Sequence, residues 1–309
     1  MNKARPAAPG EHEPWVIRSM LFMPVNEERF VAKAHTRGAD AIILDLEDSV
    51  ALSKKPDARK MVPEAAARIA GAGVDVVVRI NSPIRLGIPD LEAVICKEIM
   101  AIWLPKTESP EHVRMIAETI GELEAERGIP VGTIWMGARV ETAKGFMRIN
   151  EIASADPRVR TLGLGGEDFS LSIGVEPAID TLIYPKQHAI IAAHAAGVAP
   201  VGLMTSSANF SDLDDLRHIV SESRRFGFEG ATCIHPTAVP ILNEGFRPRA
   251  EDVAHAQKVS DAFEEAIKQG KASIQVEGRM VDYPVAYRAH GVLKRDAMIR
   301  AKEARTANI

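Results

Sequence analysis

Residues Gly38–Val50 read GADAIILDLEDSV, a short apolar run (Ala41–Leu46) whose end carries three acids, Asp45, Glu47 and Asp48. A run this short and this apolar predicts a strand buried on both faces rather than one with a wet side. The stretch that follows, Lys54–Ala70, has helical character, and the same strand-then-helix unit recurs along the chain. The other apolar runs are Ser19–Pro24, Asp75–Ile80, Ala101–Pro105, Gly132–Val140, Arg160–Gly165, Gly197–Leu203 and Gly230–Pro236, which makes eight. Further helical stretches include Pro110–Arg127, Pro185–Ala196 and Ser211–Phe226, and most such stretches stop at a glycine (Gly38, Gly71, Gly128, Gly197, Gly227). Eight units of this kind predict an α/β fold, a closed (β/α)8 TIM barrel. A doubly wound open sheet is the rival, but it usually uses fewer strands, and no glycine fingerprint follows the first one.

The barrel is assigned to residues 16–248. Residues 1–15, rich in Pro, Ala and charge, read as a flexible N-terminal arm. Residues 249–309 form a C-terminal extension: a helix over Ala250–Gly270, a hairpin over Ser273–Pro284 turning at Glu277–Gly278, and a last helix.

Among the 309 residues, 38 Lys and Arg oppose 42 Asp and Glu, a net charge of −4. That balance argues against a general nucleic-acid or membrane-surface binder, which needs a cationic field. Two cysteines, Cys96 (on a helix) and Cys233 (mid-strand), have no metal-ligand spacing and read as small core residues. No apolar run reaches membrane-spanning length, and acids and prolines stand where a signal peptide would be apolar, so a soluble, cytoplasmic protein is expected.

Barrel chemistry gathers at the C-terminal ends of the strands. Those ends carry Asp45, Glu47 and Asp48 (strand 2), Arg79 and Asn81 (strand 3) and Lys106 (strand 4). Arg139 and Glu141 follow on strand 5, Glu167 and Asp168 on strand 6 and His235 on strand 8. Glu141 and Asp168 lie just past neighbouring strands, whose backbones run about 4.8 Å apart. Two carboxylates so placed can converge on one cation, and carboxylates plus water and substrate oxygens suit magnesium. Two other readings stand beside this one. The pair could do acid–base work as in glycosidases, although aromatics at 5% offer little to line a sugar cleft. It could also form salt bridges to Arg139 or Lys144. In GLGGED (Gly163–Asp168) the glycines let backbone approach a ligand.

The chain resembles the citrate lyase β-subunit-like branch of the HpcH/HpaI aldolase superfamily, which includes malyl-CoA, citramalyl-CoA and citryl-CoA lyases. The resemblance rests on RSMLFMP (Arg18–Pro24), GADAIILDLEDSV (Gly38–Val50), KPDAR (Lys55–Arg59), VVVRIN (Val76–Asn81) and LPK (Leu104–Lys106). It continues with VETAKG (Val140–Gly145), LGLGGEDFS (Leu162–Ser170), GFEGATCIHP (Gly227–Pro236) and MVDYP (Met280–Pro284), in order over nearly the whole chain. It implies a TIM barrel with Mg2+ held by Glu141 and Asp168. Arg79 would bind the carboxylate of a 2-oxo acid (glyoxylate, pyruvate or oxaloacetate), with Lys106 and Glu141 also at the substrate, which would be an acyl-CoA thioester. Asp45, Glu47 and Asp48 would orient Arg79 and metal waters, and Lys54, Lys55 and Arg59 could meet CoA phosphates, a solvated helix face being the other reading. In stand-alone lyases of this branch an aspartate in a C-terminal VD-x-P segment reaches a neighbouring subunit's site; here that position is Asp282, which would act as general acid–base. A hairpin and helix appended to a closed barrel are suited to covering another subunit's mouth, so a homo-oligomer (trimer or hexamer) is implied.

The chain departs from the pattern at Val25–Asn26–Glu27, where relatives often have a Gly-Asp-like turn, and at Pro200–Val201–Gly202, where many have an Ile-Asp pair. Both departures bear on acid and acyl-chain specificity. The activity implied is cleavage or formation of a 3-hydroxyacyl-CoA by a Mg2+-dependent carbon–carbon lyase. The alternatives are a β subunit of a citrate lyase complex acting on an acyl-carrier thioester, a class II 2-oxo acid aldolase, a malyl-CoA thioesterase, and an acyl-CoA-binding barrel without catalysis.

Overall fold

The computed structural model describes residues 15–205 and 212–307, in two compact units that divide between Phe246 and Arg247. The arm expected over residues 1–15 lies outside the described residues except for Trp15. Trp15 is buried and its indole Nε1 donates to Asp75 Oδ2 at 2.9 Å, so this residue belongs to the barrel rather than to an arm.

The first unit is built on eight strands: β1 (Ser19–Pro24), β2 (Ala41–Asp45), β3 (Asp75–Arg79), β4 (Ala101–Leu104), β5 (Trp135–Val140), β6 (Val159–Leu164), β7 (Ala199–Pro200) and β8 (Ala231–Cys233). They pair in the order β7-β6-β5-β4-β3-β2-β1-β8, parallel throughout. A parallel bridge between Val201 and Gly230 joins the two ends, with Glu229 N–H donating to Pro200 O (3.0 Å) and Gly202 N–H to Gly230 O (2.9 Å). The ring therefore closes as a barrel. β7 is far shorter than the run Gly197–Leu203 suggested, because Pro200 has no N–H to give a ladder and Gly202 adds no side chain to pack. At Gly230 a Cβ would lie 1.7 Å from Ile17 O, so only glycine lets β8 meet β1 here.

Alternation along the strands sorts two layers. Ile42, Leu44, Val76, Val78, Ile102 and Leu104 face outward into the large core under the helices, while Met20, Ile43, Val77 and Trp103 fill the interior. The same alternation sends Asp45, Arg79 and Arg139 inward at the C-terminal end, where the interior opens into the mouth.

The longer helices around the barrel are α1 (Lys55–Gly71), α2 (Ile84–Val94), α3 (Pro110–Glu126), α4 (Gly166–Ile173), α5 (Ile179–Ala196), α6 (Leu213–Phe226) and α7 (Ala238–Gly245). α5 begins six residues before Pro185, where the sequence suggested its start; the proline sits inside the helix and forgoes one backbone hydrogen bond. Cys96 lies past the end of α2, not on a helix.

The second unit contains α8 (Ala250–Lys268), a hairpin of β9 (Ile274–Val276) and β10 (Arg279–Val281), and α9 (Tyr283–Ala307). Glu277 and Gly278 turn the hairpin with φ of 49° and 78°, the left-handed pair that a two-residue loop requires. Its own core gathers Ala256, Val259, Phe263, Val281, Ala286 and Ala289.

Candidate active site

One side of the mouth is a closed ionic network on β2, β3 and the loop after β4. Arg79 Nε donates to Asp45 Oδ1 at 2.6 Å and Nη2 to Oδ2 at 2.8 Å, a bidentate pair. Its Nη1 lies 3.0 Å from Glu47 Oε2 and 3.6 Å from Asp48 Oδ2, and the guanidinium stands 4.6 Å over the Phe22 ring. Lys106 Nζ meets Glu47 Oε1 at 2.7 Å and Asp48 Oδ1 at 3.5 Å. Burial would raise the Asp45 carboxyl, but Arg79 outweighs it and holds the group below its ordinary range. At Glu47 burial wins over Arg79 and Lys106, and its carboxyl is pushed up to about 7.

The other side is built on β5 and β6. Glu141, only 5% exposed, accepts the Lys106 backbone N–H on Oε2 at 2.9 Å and has Arg139 Nε 3.3 Å from Oε1. Lys106 adopts φ of 45°, a left-handed backbone uncommon for a side-chain-bearing residue, while its N–H meets that carboxylate. A Cβ on Gly165 would stand 2.7 Å from Glu141 Cγ, so glycine is needed for the turn from β6 into α4 to pass. That turn delivers Asp168 in the first turn of α4, exposed and without a hydrogen bond or ion pair among the described residues. Burial drives the Glu141 carboxyl up against the pull of Arg139, and the charge of Asp168 adds to the rise, so the two acids sense each other. Behind them Lys186 of α5, 1% exposed, donates to Leu164 O at 2.7 Å. Burial, reinforced by the charge of Arg139, brings its ammonium down to about 7.

Glu141 and Asp168 fit a hard divalent ion. Among the described residues no group of three or more His, Cys, Asp or Glu is arranged to hold a metal, which disfavours a closed zinc site. Magnesium keeps several waters and asks for only one or two carboxylates, which this pair supplies beside a glycine turn.

The ion pairs settle several sequence readings. Glu141 does pair with Arg139, whereas Lys144 turns to Glu108 at 2.8 Å. Asp45, Glu47 and Asp48 all gather on Arg79. Lys55 and Arg59, read as phosphate contacts or a solvated helix face, both have partners within the fold. Lys55 is buried and donates to Leu46 O (2.7 Å) and Glu47 O (2.6 Å), pinning the loop that carries the acids, and Arg59 pairs with buried Asp90 at 2.8 Å. Lys54 remains exposed. Asp282, in the second unit, accepts the Val285 N–H on Oδ1 at 3.4 Å and the Ala286 N–H on its carbonyl at 2.9 Å, at the start of α9. Sequence reading missed Asp90 and Lys186. Each sits on the apolar face of its helix, Asp90 with Leu91 and Val94, Lys186 with Leu182, Ala189 and Ile190; a charge at a core position was the available signal.

A family model, HpcH/HpaI aldolase/citrate lyase, matches residues 18–236. The chain belongs to that family. It is a lyase of the citrate lyase β-subunit-like type. It is 34% identical over 286 residues to the citrate lyase subunit beta of Leuconostoc mesenteroides subsp. cremoris, covering 90% of this chain and 92% of that protein. It is 29% identical over 300 residues to the mitochondrial citramalyl-CoA lyase of Homo sapiens, covering 92% of this chain and 87% of that one. Among solved structures it resembles the protein CitE of Mycobacterium tuberculosis in complex with magnesium, acetoacetate and coenzyme A. The TM-score is 0.69 and the identity 28%, over 90% of this chain and 97% of that one. No helix among the described residues is long and apolar enough to cross a membrane.

Proposed function

We propose that this chain is a Mg2+-dependent lyase that cleaves or forms a 3-hydroxyacyl-CoA thioester such as malyl-, citramalyl- or citryl-CoA. The products of cleavage would be acetyl-CoA and a 2-oxo acid. The observation that carries the reading is the buried Glu141 carboxylate beside Asp168, on the opposite side of one mouth from Arg79. Glu141 and Asp168 would hold the ion, which when bound would polarise the hydroxyl or carbonyl oxygen of the substrate as a Lewis acid.

Arg79, held flat by Asp45 and Glu47, keeps N–H donors over for the carboxylate of the 2-oxo acid. Lys106, anchored by Glu47 at the rim, adds positive charge for the same anion. Asp282 would take a proton from the acetyl methyl carbon in the condensing direction and return it on cleavage. It would do so in a neighbouring subunit's mouth, the second unit serving as the covering piece of a homotrimer or hexamer. Lys54 is the remaining basic side chain at the start of α1 available to CoA phosphates. A cytoplasmic setting agrees with the bacterial relatives.

A second reading, the β subunit of a citrate lyase complex acting on an acyl-carrier thioester, is favoured by the match to the Leuconostoc protein over nearly its full length. Purified protein assayed alone with Mg2+ and malyl-, citramalyl- and citryl-CoA separates the two. Turnover of one of them is expected, and turnover only of an acyl-carrier thioester would establish the second reading. Mixing inactive Asp282→Ala with inactive Arg79→Ala protein should restore part of the activity. No recovery after verified subunit exchange would overturn the sharing of sites.

A further inference from the structure

Arg139 has a role that the reaction described above leaves open. Its guanidinium projects inward from β5, with Nε 3.3 Å from Glu141 Oε1, and that carboxylate is its one ion-pair contact among the described residues. Nη1 is buried with no hydrogen-bond acceptor, on the side where Gly163 stands; a Cβ at Gly163 would come 3.4 Å from it. Arg79 differs, since its charge is divided among Asp45, Glu47 and Asp48. The charge of Arg139 falls first on Glu141, whose other oxygen is already taken by the Lys106 N–H, and to a lesser extent on Asp168.

We infer that Arg139 is the resident counter-cation of Glu141 and makes divalent-ion capture depend on an incoming anion. This rests on the reading of Glu141 and Asp168 as metal ligands. A lone dication approaching Glu141 is repelled by the guanidinium and must share the carboxylate with it. Once an ion neutralises the two acids, Arg139 is left in excess positive charge, which a substrate carboxylate balances. Ion and anion therefore raise each other's affinity by the same factor. Arg139 is a positioning residue here, acting through Glu141.

Direct titration with Mn2+, followed by the loss of its free electron-spin signal, tests this with and without pyruvate at mildly alkaline pH. In the wild type, pyruvate should tighten Mn2+ about tenfold or more. Arg139→Met, with Arg139→Gln as a second neutral variant, should tighten Mn2+ alone by about tenfold and reduce the pyruvate effect severalfold. Arg139→Lys, which keeps the charge, should restore the wild-type pattern. Folded Arg139→Met and Arg139→Gln proteins with wild-type Mn2+ affinity and an undiminished pyruvate effect would overturn this inference alone. Wild-type Mn2+ binding by Glu141→Ala protein would overturn the metal-site reading and this inference with it.

Discussion

On the β2–β4 side of the mouth every carboxylate meets a cation. Asp45 grips Arg79 through both oxygens, and Glu47 and Asp48 are shared between Arg79 and Lys106. On the β5–β6 side Asp168 has no partner among the described residues, Arg139 keeps a buried nitrogen unsatisfied, and Lys186 is a buried amine with one carbonyl. The first side has its charges paired within the protein and serves as a platform that holds Arg79 in place. The second is left electrostatically incomplete, as a site must be if a metal and an anion are to finish it. Substitutions on the two sides should therefore fail differently, in stability on the first and above all in chemistry on the second.

The largest expected effect is on the incomplete side. Asp168→Ala, at an exposed acid, should lower lyase turnover by about a thousandfold or more while the melting temperature stays near that of the wild type. Glu141→Ala should lower turnover as far but also cost stability, because it strands the buried Arg139 guanidinium. Steady-state kinetics alongside thermal melts reads both; full turnover by either variant, or full activity of the wild type in EDTA, would erase the distinction between the two sides.

Next comes Arg79→Ala on the paired side, which strands the buried Asp45 carboxylate. It should cost about 3–5 kcal/mol of stability in denaturant titrations, besides activity. A loss below about 1 kcal/mol would mean that this network is no platform.

The smallest effect concerns pH. Glu47 titrates at about 7 in the fold against an ordinary 4.5, so between those values the folded protein holds a proton that the unfolded chain has lost. Stability should then fall as pH rises through that window, by up to about 3 kcal/mol from this group. Glu47→Gln should flatten that part of the pH–stability curve, and an unchanged slope would remove Glu47 as its source.

Most of the barrel was legible because its strands are buried on both faces. Runs such as AIILD and DVVVR carry that fact in their composition, and their inward parity fixes which polar residue reaches the mouth. β7 was overread, since an apolar run with Pro200 and Gly202 at its centre cannot sustain a ladder. In the site, the residues at the strand ends were legible but their partners were not. Lys55 and Arg59 read as phosphate contacts or a solvated helix face, because nothing in the sequence shows the Leu46 and Glu47 carbonyls or Asp90 beside them. The same limit hid Lys186, whose role depends on the carbonyl of Leu164 at the end of a strand that precedes its helix.

Diffraction from a crystal soaked in Mn2+ and pyruvate, collected for the anomalous signal of the metal, tests the centre of this account. A single peak between the Glu141 and Asp168 carboxylates, with pyruvate's carboxylate turned toward Arg79, is the expected result. A metal bound elsewhere, or pyruvate held with neither of those acids nearby, would contradict it.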